Sequence, residues 1–307
     1  MISVIHNPHA KQNRKKPERA QALAAILDGV GTLHETQSID AVYDVARHCL
    51  KTGCKVVGVN GGDGSLQMAM TFFAEIYKES PLPSFVVMRG GTMNTVAGGL
   101  GIKGTPETIL TRVVKGLKEQ GPLTRMKNQV LCANGHLGFM SGAAVVVKFL
   151  DAYYDAPTQG PVQAVKLGTR IAGSALAGTD YARKMFQPER FLVEVDGQQL
   201  PETEFSILLG CTVEDISMGC RATPRAYERK GAFHFLACSL APMQIVGQIP
   251  RLWTGREIIH PAMHYSAPAE RVTVRCENGP VRWMLDGECR TDDQLDISVW
   301  DDVELLW

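Results

Sequence analysis

Val56-Val57-Gly58-Val59-Asn60-Gly61-Gly62-Asp63-Gly64-Ser65 is the stretch on which the reading of this chain turns. The apolar run Lys55–Asn60 is short and rich in β-branched residues, as in a strand buried on both faces. Helical spacing follows, from about Leu66 to Tyr77. A glycine loop between a buried strand and a helix lies at the carboxyl edge of a parallel sheet, where open α/β folds bind ligands. Glycines let the backbone approach a ligand closely, and the unpaired N–H groups of a helix start favour anions. The loop is therefore suited to phosphate. Asp63 would repel a phosphate directly, but it suits a Mg²⁺ held between carboxylate and phosphate oxygens. The plain alternative is a tight turn in which Ser65 caps the helix.

The same rhythm extends outward. Ile2–His6 reads as a strand, and the basic loop Lys11–Lys16 follows it. Pro17 stands where the helix Arg19–Leu27 can start. Thr32–Glu35 reads as a short strand. Ser38 is a good N-cap for a helix over Ile39–Leu50, with Gly53 as its stop. Ser84–Met88 is a further strand, and Thr105-Pro106-Glu107 opens a helix running to about Glu119. A second glycine loop, Gly90-Gly91-Thr92-Met93-Asn94, follows Ser84–Met88 and precedes a short helix. Its Thr92 hydroxyl and Asn94 amide could serve a phosphate or the opposite loop. Two such loops at adjacent strand ends point to a shared nucleotide cleft. Alternating strands and helices imply a parallel sheet covered by helices.

Beyond Gly121-Pro122 the pattern changes to antiparallel strands, Phe205–Leu209, Phe233–Cys238, Arg271–Arg275, Val281–Leu285 and Leu295–Trp300. Asp196-Gly197 and Asn278-Gly279 are hairpin signals. A helical stretch over about Val162–Leu176 interrupts them. The expected organisation is an α/β nucleotide-binding domain over 1–122, then a β-sandwich domain over 123–307 with a helical insertion near 150–186.

Composition narrows the function. The chain has 307 residues, 45% hydrophobic and 21% charged, with 32 basic and 32 acidic residues. This is the balance of a globular protein with a real core, and it disfavours intrinsic disorder and strongly basic nucleic-acid binding. No apolar run reaches the ~18 residues of a spanning helix. Met1–His6 lacks the pattern of a signal peptide, and none of the eight cysteines forms a Cys-x-x-Cys pair. Reduced, mostly buried thiols in a cytoplasm are expected.

Asn7-Pro8, Gly61-Gly62-Asp63-Gly64-Ser65, Gly91-Thr92-Met93-Asn94 and Asp286-Gly287-Glu288 occur in that order, with Leu137-Gly138-Phe139 soon after the domain boundary. Together they resemble the diacylglycerol kinase catalytic-domain family, which includes bacterial lipid kinases, sphingosine kinases and ceramide kinases. The resemblance implies a Rossmann-like nucleotide-binding domain followed by an antiparallel β-sandwich domain, with the active site between them. It implies transfer of the γ-phosphate of ATP, with Mg²⁺, to a hydroxyl of a membrane lipid of the diacylglycerol or sphingoid/ceramide type. By this resemblance Gly61, Gly62, Gly64, Ser65, Asn7, Gly91, Thr92 and Asn94 serve ATP, with His6 beside Asn7. Asp63 is catalytic and holds the metal, and Glu288 activates the lipid hydroxyl or helps to hold the metal. Phosphoryl transfer needs positioning, charge neutralisation and a proton acceptor near the hydroxyl, which gives Glu288 a physical role. From Asp286-Gly287 alone, an ordinary turn is the better reading. Peripheral contact with the inner membrane face is expected, without nucleic acid.

The chain departs from the family pattern in several places. Ser65 replaces a usual Thr, Gln67-Met68 stands where Asn-Glu or His-Glu is common, and Thr95 stands where Asp is common. Arg89 lies near a frequent Pro. Lys230-Gly231 replaces an Asp-Gly associated with a structural metal in some bacterial members. These changes reduce the acidic complement and motivate two alternatives, a silent nucleotide- or lipid-binding regulator and a soluble-substrate kinase of the same superfamily.

Other features have modest readings. Lys11, Arg14, Lys15, Lys16 and Arg19 could steer ATP or touch anionic lipid heads, or form a solvated loop. His260 and His264 have i,i+4 spacing, but Pro261 and Pro268 oppose a helical zinc site. Val162, Val165, Leu167, Ile171, Ala175 and Leu176 could line an acyl pocket or touch a membrane, with core packing the default. Arg221 and Arg225 could bind phosphate, with surface charge the default.

Overall fold

The structure is a computed structural model that describes residues 1–92, 94–119 and 121–307, with Thr95 described by its backbone. The chain divides into two compact units, 1–128 with 302–307, and 129–301.

The first unit carries β1 (Ile2–His6), α1 (Lys11–Arg14), α2 (Arg19–Leu27), β2 (Gly31–Glu35), α3 (Ile39–Thr52), β3 (Val56–Asn60), α4 (Asp63–Tyr77), β4 (Ser84–Val87), α5 (Thr95–Gly99) and α6 (Pro106–Glu119). β1 pairs in parallel with β2 on one side and β3 on the other, and β3 pairs in parallel with β4. β1, β3 and β4 are buried along their whole length, as the unbroken apolar runs require. The chain's last residues return to this unit, where Leu305 pairs in parallel with Phe85. α2 packs on α6, α3 packs on α4, and Phe73 meets Phe85 edge to face with centroids 5.6 Å apart. The caps work as read: Ser38 Oγ accepts the Ala41 N–H at 3.2 Å, and Gly53 ends α3 at φ +64°.

Two local expectations change here. The basic loop contains the single turn α1. α4 begins at Asp63 rather than near Leu66, and its N-cap is Gly62 without a side-chain cap. Glycine at the N-cap gives no propensity signal comparable to Ser or Asp, which hid the first turn.

The second unit begins within β5 (Arg125–Ala133). It continues through β6 (His136–Gly138), β7 (Met140–Ala144), α7 (Val145–Tyr154), α8 (Pro161–Ala177), α9 (Asp180–Met185), β8 (Glu189–Val195), β9 (Gln198–Gln199), β10 (Glu204–Phe205), β11 (Ile207–Cys211) and β12 (Phe233–Cys238). Then come α10 (Pro242–Thr254), β13 (Met263–Ala269), β14 (Arg271–Cys276), β15 (Val281–Leu285), β16 (Glu288–Asp292) and β17 (Gln294–Leu306). One antiparallel sheet runs β13-β12-β11-β7-β15-β16. The other antiparallel layer joins β10, β8, β14 and the first half of β17. Alternate residues of both layers, among them Phe191, Val193, Val272, Ile297, Phe233, Phe235, Val281 and Trp283, fill one core. This is the expected sandwich.

Three details differ from the strand reading. Phe205–Leu209 is split at Ser206, whose hydroxyl donates to the Cys238 and Leu240 carbonyls. Asn278-Gly279 is not a hairpin turn: β14 pairs with β8 and β17, whereas β15 pairs with β16 and β7. The apolar residues of β14 and β15 belong to opposite layers, and the shared core separates the strands despite the turn dipeptide. α10 had no counterpart in the strand-dominated reading, because Gly247 and Pro250 interrupt its helical pattern.

Among the described residues no helix is long and apolar enough to cross a membrane. All eight cysteines are free; Cys49, Cys54, Cys211 and Cys238 are buried, and Cys289 is exposed.

Candidate functional site

The carboxyl ends of β1, β3 and β4 lie side by side, so the loops that leave them meet. The Asn7 N–H donates to the Asn60 carbonyl at 3.1 Å, joining the first two loops. The Gln12 N–H donates to the Gly90 carbonyl at 3.2 Å, joining the first and third. Gly62 and Gly91 touch backbone to backbone: a Cβ on Gly91 would stand 2.2 Å from the Gly62 Cα. A Cβ on Gly61 would stand 2.2 Å from Ser65 Oγ. Gly61 and Gly91 are required by close approach, with no positive φ involved.

α4 presents its first turn to this junction. Its opening bonds run from the Ser65 and Leu66 N–H groups to the Gly62 carbonyl, at 3.0 and 3.1 Å. The preceding N–H groups belong to the positive end of the helix dipole. Asp63 is half-buried there, and its Oδ1 accepts the Val96 N–H at 3.2 Å, tying α4 to the start of α5. Ser65 does not cap α4; its Oγ accepts the Asn7 amide at 3.0 Å. Asn7 Oδ1 in turn accepts the His9 N–H at 2.9 Å.

Asn94 is bonded within its own loop. At φ +50° its amide folds back, accepting the Gly91 N–H at 3.1 Å and donating to the Gly91 carbonyl at 3.2 Å. It shapes the glycine loop, and among the described residues the bond from α4 to the start of α5 is made by Asp63. Thr92 is half-buried beside Gly91, and Met93 lies outside the described residues. Arg89 adopts φ +58°, which proline cannot, and its guanidinium donates to the Ile102 carbonyl at 3.0 Å. Gln67 is buried with its Oε1 unpartnered among the described residues, and Met68 is half-buried.

A buried polar relay that the motifs did not reveal supports the junction. Glu107 accepts from Arg19 Nε at 2.7 Å, and Arg19 Nη1 donates to Asn13 Oδ1 at 3.0 Å. Asn13 Nδ2 donates to the Asn7 and Asn60 carbonyls at 2.8 and 3.0 Å. Burial pushes the Glu107 carboxyl up, but hydrogen bonds from Arg19 and Thr105 prevail and hold it below its ordinary value. Arg19 therefore leaves the basic cluster. Asn60, fully buried at the end of β3, donates to His6 Nδ1 at 2.8 Å. Burial, opposed by Glu35 and aided by Arg19, lowers the His6 pKa. A neutral His6 then carries its proton on Nε2. The available signal for Asn60 was a polar residue ending an otherwise apolar strand.

In the second unit, Asp286-Gly287 is the two-residue turn of the β15–β16 hairpin, with φ +46° and +93°. The Asp286 carboxylate accepts the Phe139 and Met140 N–H groups at 2.9–3.1 Å. A Cβ on Gly138 would stand 2.7 Å from Asp286 Oδ2, so only glycine fits there. Leu137-Gly138-Phe139 and Asp286-Gly287-Glu288 thus form one arrangement. Glu288 opens β16, opposite Leu285, and is exposed.

The remaining signals resolve locally. Arg225 is paired with Glu228 and Glu257, while Arg221 is exposed. His264 bonds Ser239 Oγ at 2.8 Å, and His260 Nδ1 accepts the Ala262 N–H at 3.0 Å. The Gly231 N–H donates to Gln129 Oε1. Among the described residues no group of three or more His, Cys, Asp or Glu side chains is arranged to hold a metal.

A parallel α/β unit with glycine loops at its carboxyl edge, and a second unit of antiparallel sheets, define the two-domain fold of diacylglycerol kinase-like proteins. Residues 1–126 match the family model described as the diacylglycerol kinase catalytic domain. A diacylglycerol kinase from Bacillus anthracis str. Sterne shares the fold with TM-score 0.62 and 14% identity, covering 100% of this chain and 96% of that one. A second structure from the same organism, assigned to the diacylglycerol kinases, aligns with TM-score 0.69 and 15% identity over the same shares. No curated protein sequence matches significantly.

Proposed function

We propose that the protein is an ATP-dependent lipid kinase that phosphorylates a hydroxyl of a membrane lipid, of the diacylglycerol or sphingoid/ceramide type. The observation that carries this reading is the junction of three loops on one sheet edge, with Gly62 against Gly91 and Asp63 on the first turn of α4. Such a junction offers backbone N–H groups and a helix dipole to phosphate. The catalytic-domain match over residues 1–126 supports the same class.

In this reading Gly61, Gly62, Gly64, Gly91 and Thr92 cradle the ATP phosphates, and Asn7 with Ser65 holds the first loop against α4. Asn94 contributes by fixing the Gly91 loop. Asp63 would hold Mg²⁺, whose charge neutralises phosphate oxygens. One carboxylate is enough, because Mg²⁺ is commonly held by one or two carboxylates together with phosphates and water. Glu288 takes the proton of the lipid hydroxyl as its oxygen bonds to the γ-phosphorus and the bond to ADP breaks. Its exposure leaves the carboxylate available for this role, which Asp286 lacks.

The test is γ-phosphate transfer from labelled ATP with Mg²⁺ to micellar diacylglycerol, monoacylglycerol, sphingosine and ceramide, with NAD and fructose 6-phosphate as soluble controls. Labelled lipid that disappears with Asp63→Asn is the expected result. Transfer to a soluble control alone would move the protein to another branch of the superfamily. ATP binding without transfer would favour a binding protein.

A further inference from the structure

We propose that α8 and α10 together form the surface by which this protein docks onto an anionic lipid bilayer. The proposal extends the lipid-substrate reading, but it rests on the second unit alone. The two helices pack on each other. Their outward residues are apolar to a degree unusual for a solvated helix. Val162 is 70% exposed and Leu176 67% on α8; Met243 is 51% exposed and Trp253 54% on α10. The exposed stripe of α10 reads Met243, Gly247, Pro250, Trp253, with no charge, and no residue of α10 is fully buried. Trp253 lies over Gly219, where an added Cβ would be 3.9 Å from the indole. Next to it Met218 is also exposed, as is Ile259 in the segment that follows α10.

Charge selects the occupant. Neither 156–179 nor 229–256 contains a single Asp or Glu. The cations of these elements flank the apolar stripes: Lys166 and Arg170 on α8, Arg251 on α10, and Arg256 just past it. Arg170 is held with its guanidinium 4.0 Å above the Tyr181 ring. Between α9 and the start of α10 lies a cleft of about 370 Å³ lined by Arg183, Lys184 and Pro242. Two apolar helices that carry no carboxylate and are flanked by cations match an interface of acyl chains beneath anionic headgroups, and the nearby Glu257 is already paired with Arg225. Tryptophan favours that depth. A second copy of the same face would bring like charges together, so self-association is disfavoured.

The experiment uses the full chain without nucleotide, so that it reads docking and not catalysis. Flotation is compared on phosphatidylcholine vesicles and on vesicles containing phosphatidylglycerol. The wild type is expected to float with the anionic vesicles, and Val162→Ser with Trp253→Ser to weaken partition about tenfold or more. Lys166→Gln with Arg256→Gln is expected to reduce the preference for anionic lipid about tenfold or more and to lessen its salt sensitivity. These side chains are exposed, so circular dichroism of the variants should match the wild type. Their phosphate transfer to a dispersed short-chain lipid should be unchanged, which separates failure of docking from failure of the kinase reading. A wild type that floats with neither vesicle would overturn the proposal, as would a serine variant that floats equally well. A dimer in sedimentation velocity that dissociates in the serine variant would assign the face to a second copy instead.

Discussion

Asp63-Gly64 and Asp286-Gly287 are the same dipeptide in two settings, and the settings decide what each aspartate can do. Asp63 stands on the first turn of a helix that leaves a parallel sheet, with helix N–H groups beside it. Asp286 stands in an antiparallel hairpin and binds two backbone N–H groups of the neighbouring strand. A third case separates turn chemistry from function. Asp196-Gly197 closes the β8–β9 hairpin at φ +49° and +81°, and its carboxylate accepts the Glu270 and Arg271 N–H groups at 2.9 and 2.8 Å. Asp286 therefore repeats a structural device used elsewhere in the unit. After the glycine the two hairpins differ, with Gln198 in one and Glu288 in the other. The device explains the aspartate; the carboxylate that follows it needs another reason.

The largest expected effect breaks the comparison at Asp63. Asp63→Asn keeps an acceptor for the Val96 N–H, so the fold should hold, while phosphate transfer should fall by about 10³-fold or more if the charge serves catalysis. Glu288→Gln gives the Asp286 hairpin the spelling of the Asp196-Gly197-Gln198 hairpin. It should lower kcat by ~10²–10⁴-fold, the usual contribution of a general base, with urea stability unchanged. Full activity in Glu288→Gln would reduce the Asp286–Glu288 segment to a hairpin like Asp196–Gln198.

Asp286→Ala tests the structural half. It strands the Phe139 and Met140 N–H groups and leaves alanine at positive φ, at a cost of about 2–4 kcal/mol. Equilibrium urea unfolding should register this loss. Asp286→Asn keeps one acceptor and tolerates the left-handed backbone, and should recover most of it.

Much of this contrast was legible before the fold was known. The strand–loop–helix at Lys55–Tyr77 was readable because a buried parallel strand and an amphipathic helix leave strong, different periods. The loop residues were readable as a set because their spacing follows the sheet's strand ends. Asn13 was hidden among charged neighbours, since nothing local says that one amide of a basic loop turns inward to bridge two carbonyls. Arg19 was hidden for the same reason; its partner Glu107 lies 88 positions away. The return of 302–307 to β4 is likewise a long-range pairing that a one-dimensional pattern does not encode. Asn278-Gly279 shows the reverse failure. The dipeptide permits a tight turn, but the demand for each strand's apolar face to meet the core sends β14 and β15 to different layers.

Histidines compare the two units under acid. His234 donates from Nε2 to Ser266 Oγ, at 3.0 Å, and its Nδ1 accepts the Arg225 N–H at 3.2 Å, so its neutral form is fully bonded. Burial, with a further push from Arg225, lowers its pKa to about 4. His6 is lowered in the same direction, again chiefly by burial. A native base that resists protonation binds fewer protons than the unfolded chain. Its contribution is complete above about pH 6.5 and is lost as pH falls toward the folded pKa. For His234 the loss is about 3 kcal/mol by pH 4. Urea midpoints at pH 7.5 and pH 4.5 should differ less in His234→Asn, which keeps the Nδ1-type acceptor without the titration. An unchanged pH dependence would assign the acid sensitivity to other groups.

The smallest effect sharpens the reading of Ser65. The residue is neither the cap of α4 nor an isolated hydroxyl; it accepts the Asn7 amide and fills the space where Gly61 lacks a side chain. Ser65→Ala removes one half-buried hydrogen bond whose donor can turn to water, so stability should fall by only about 0.5–1.5 kcal/mol. The Asn7 loop would lose its tether to α4, and KM for ATP should rise more than kcat falls, because the change touches binding and leaves Asp63 in place. Ser65→Thr keeps the hydroxyl and should restore both quantities. A collapse of kcat in Ser65→Ala with KM unchanged would instead put the hydroxyl itself on the transferring phosphate and make Ser65 a partner of Asp63.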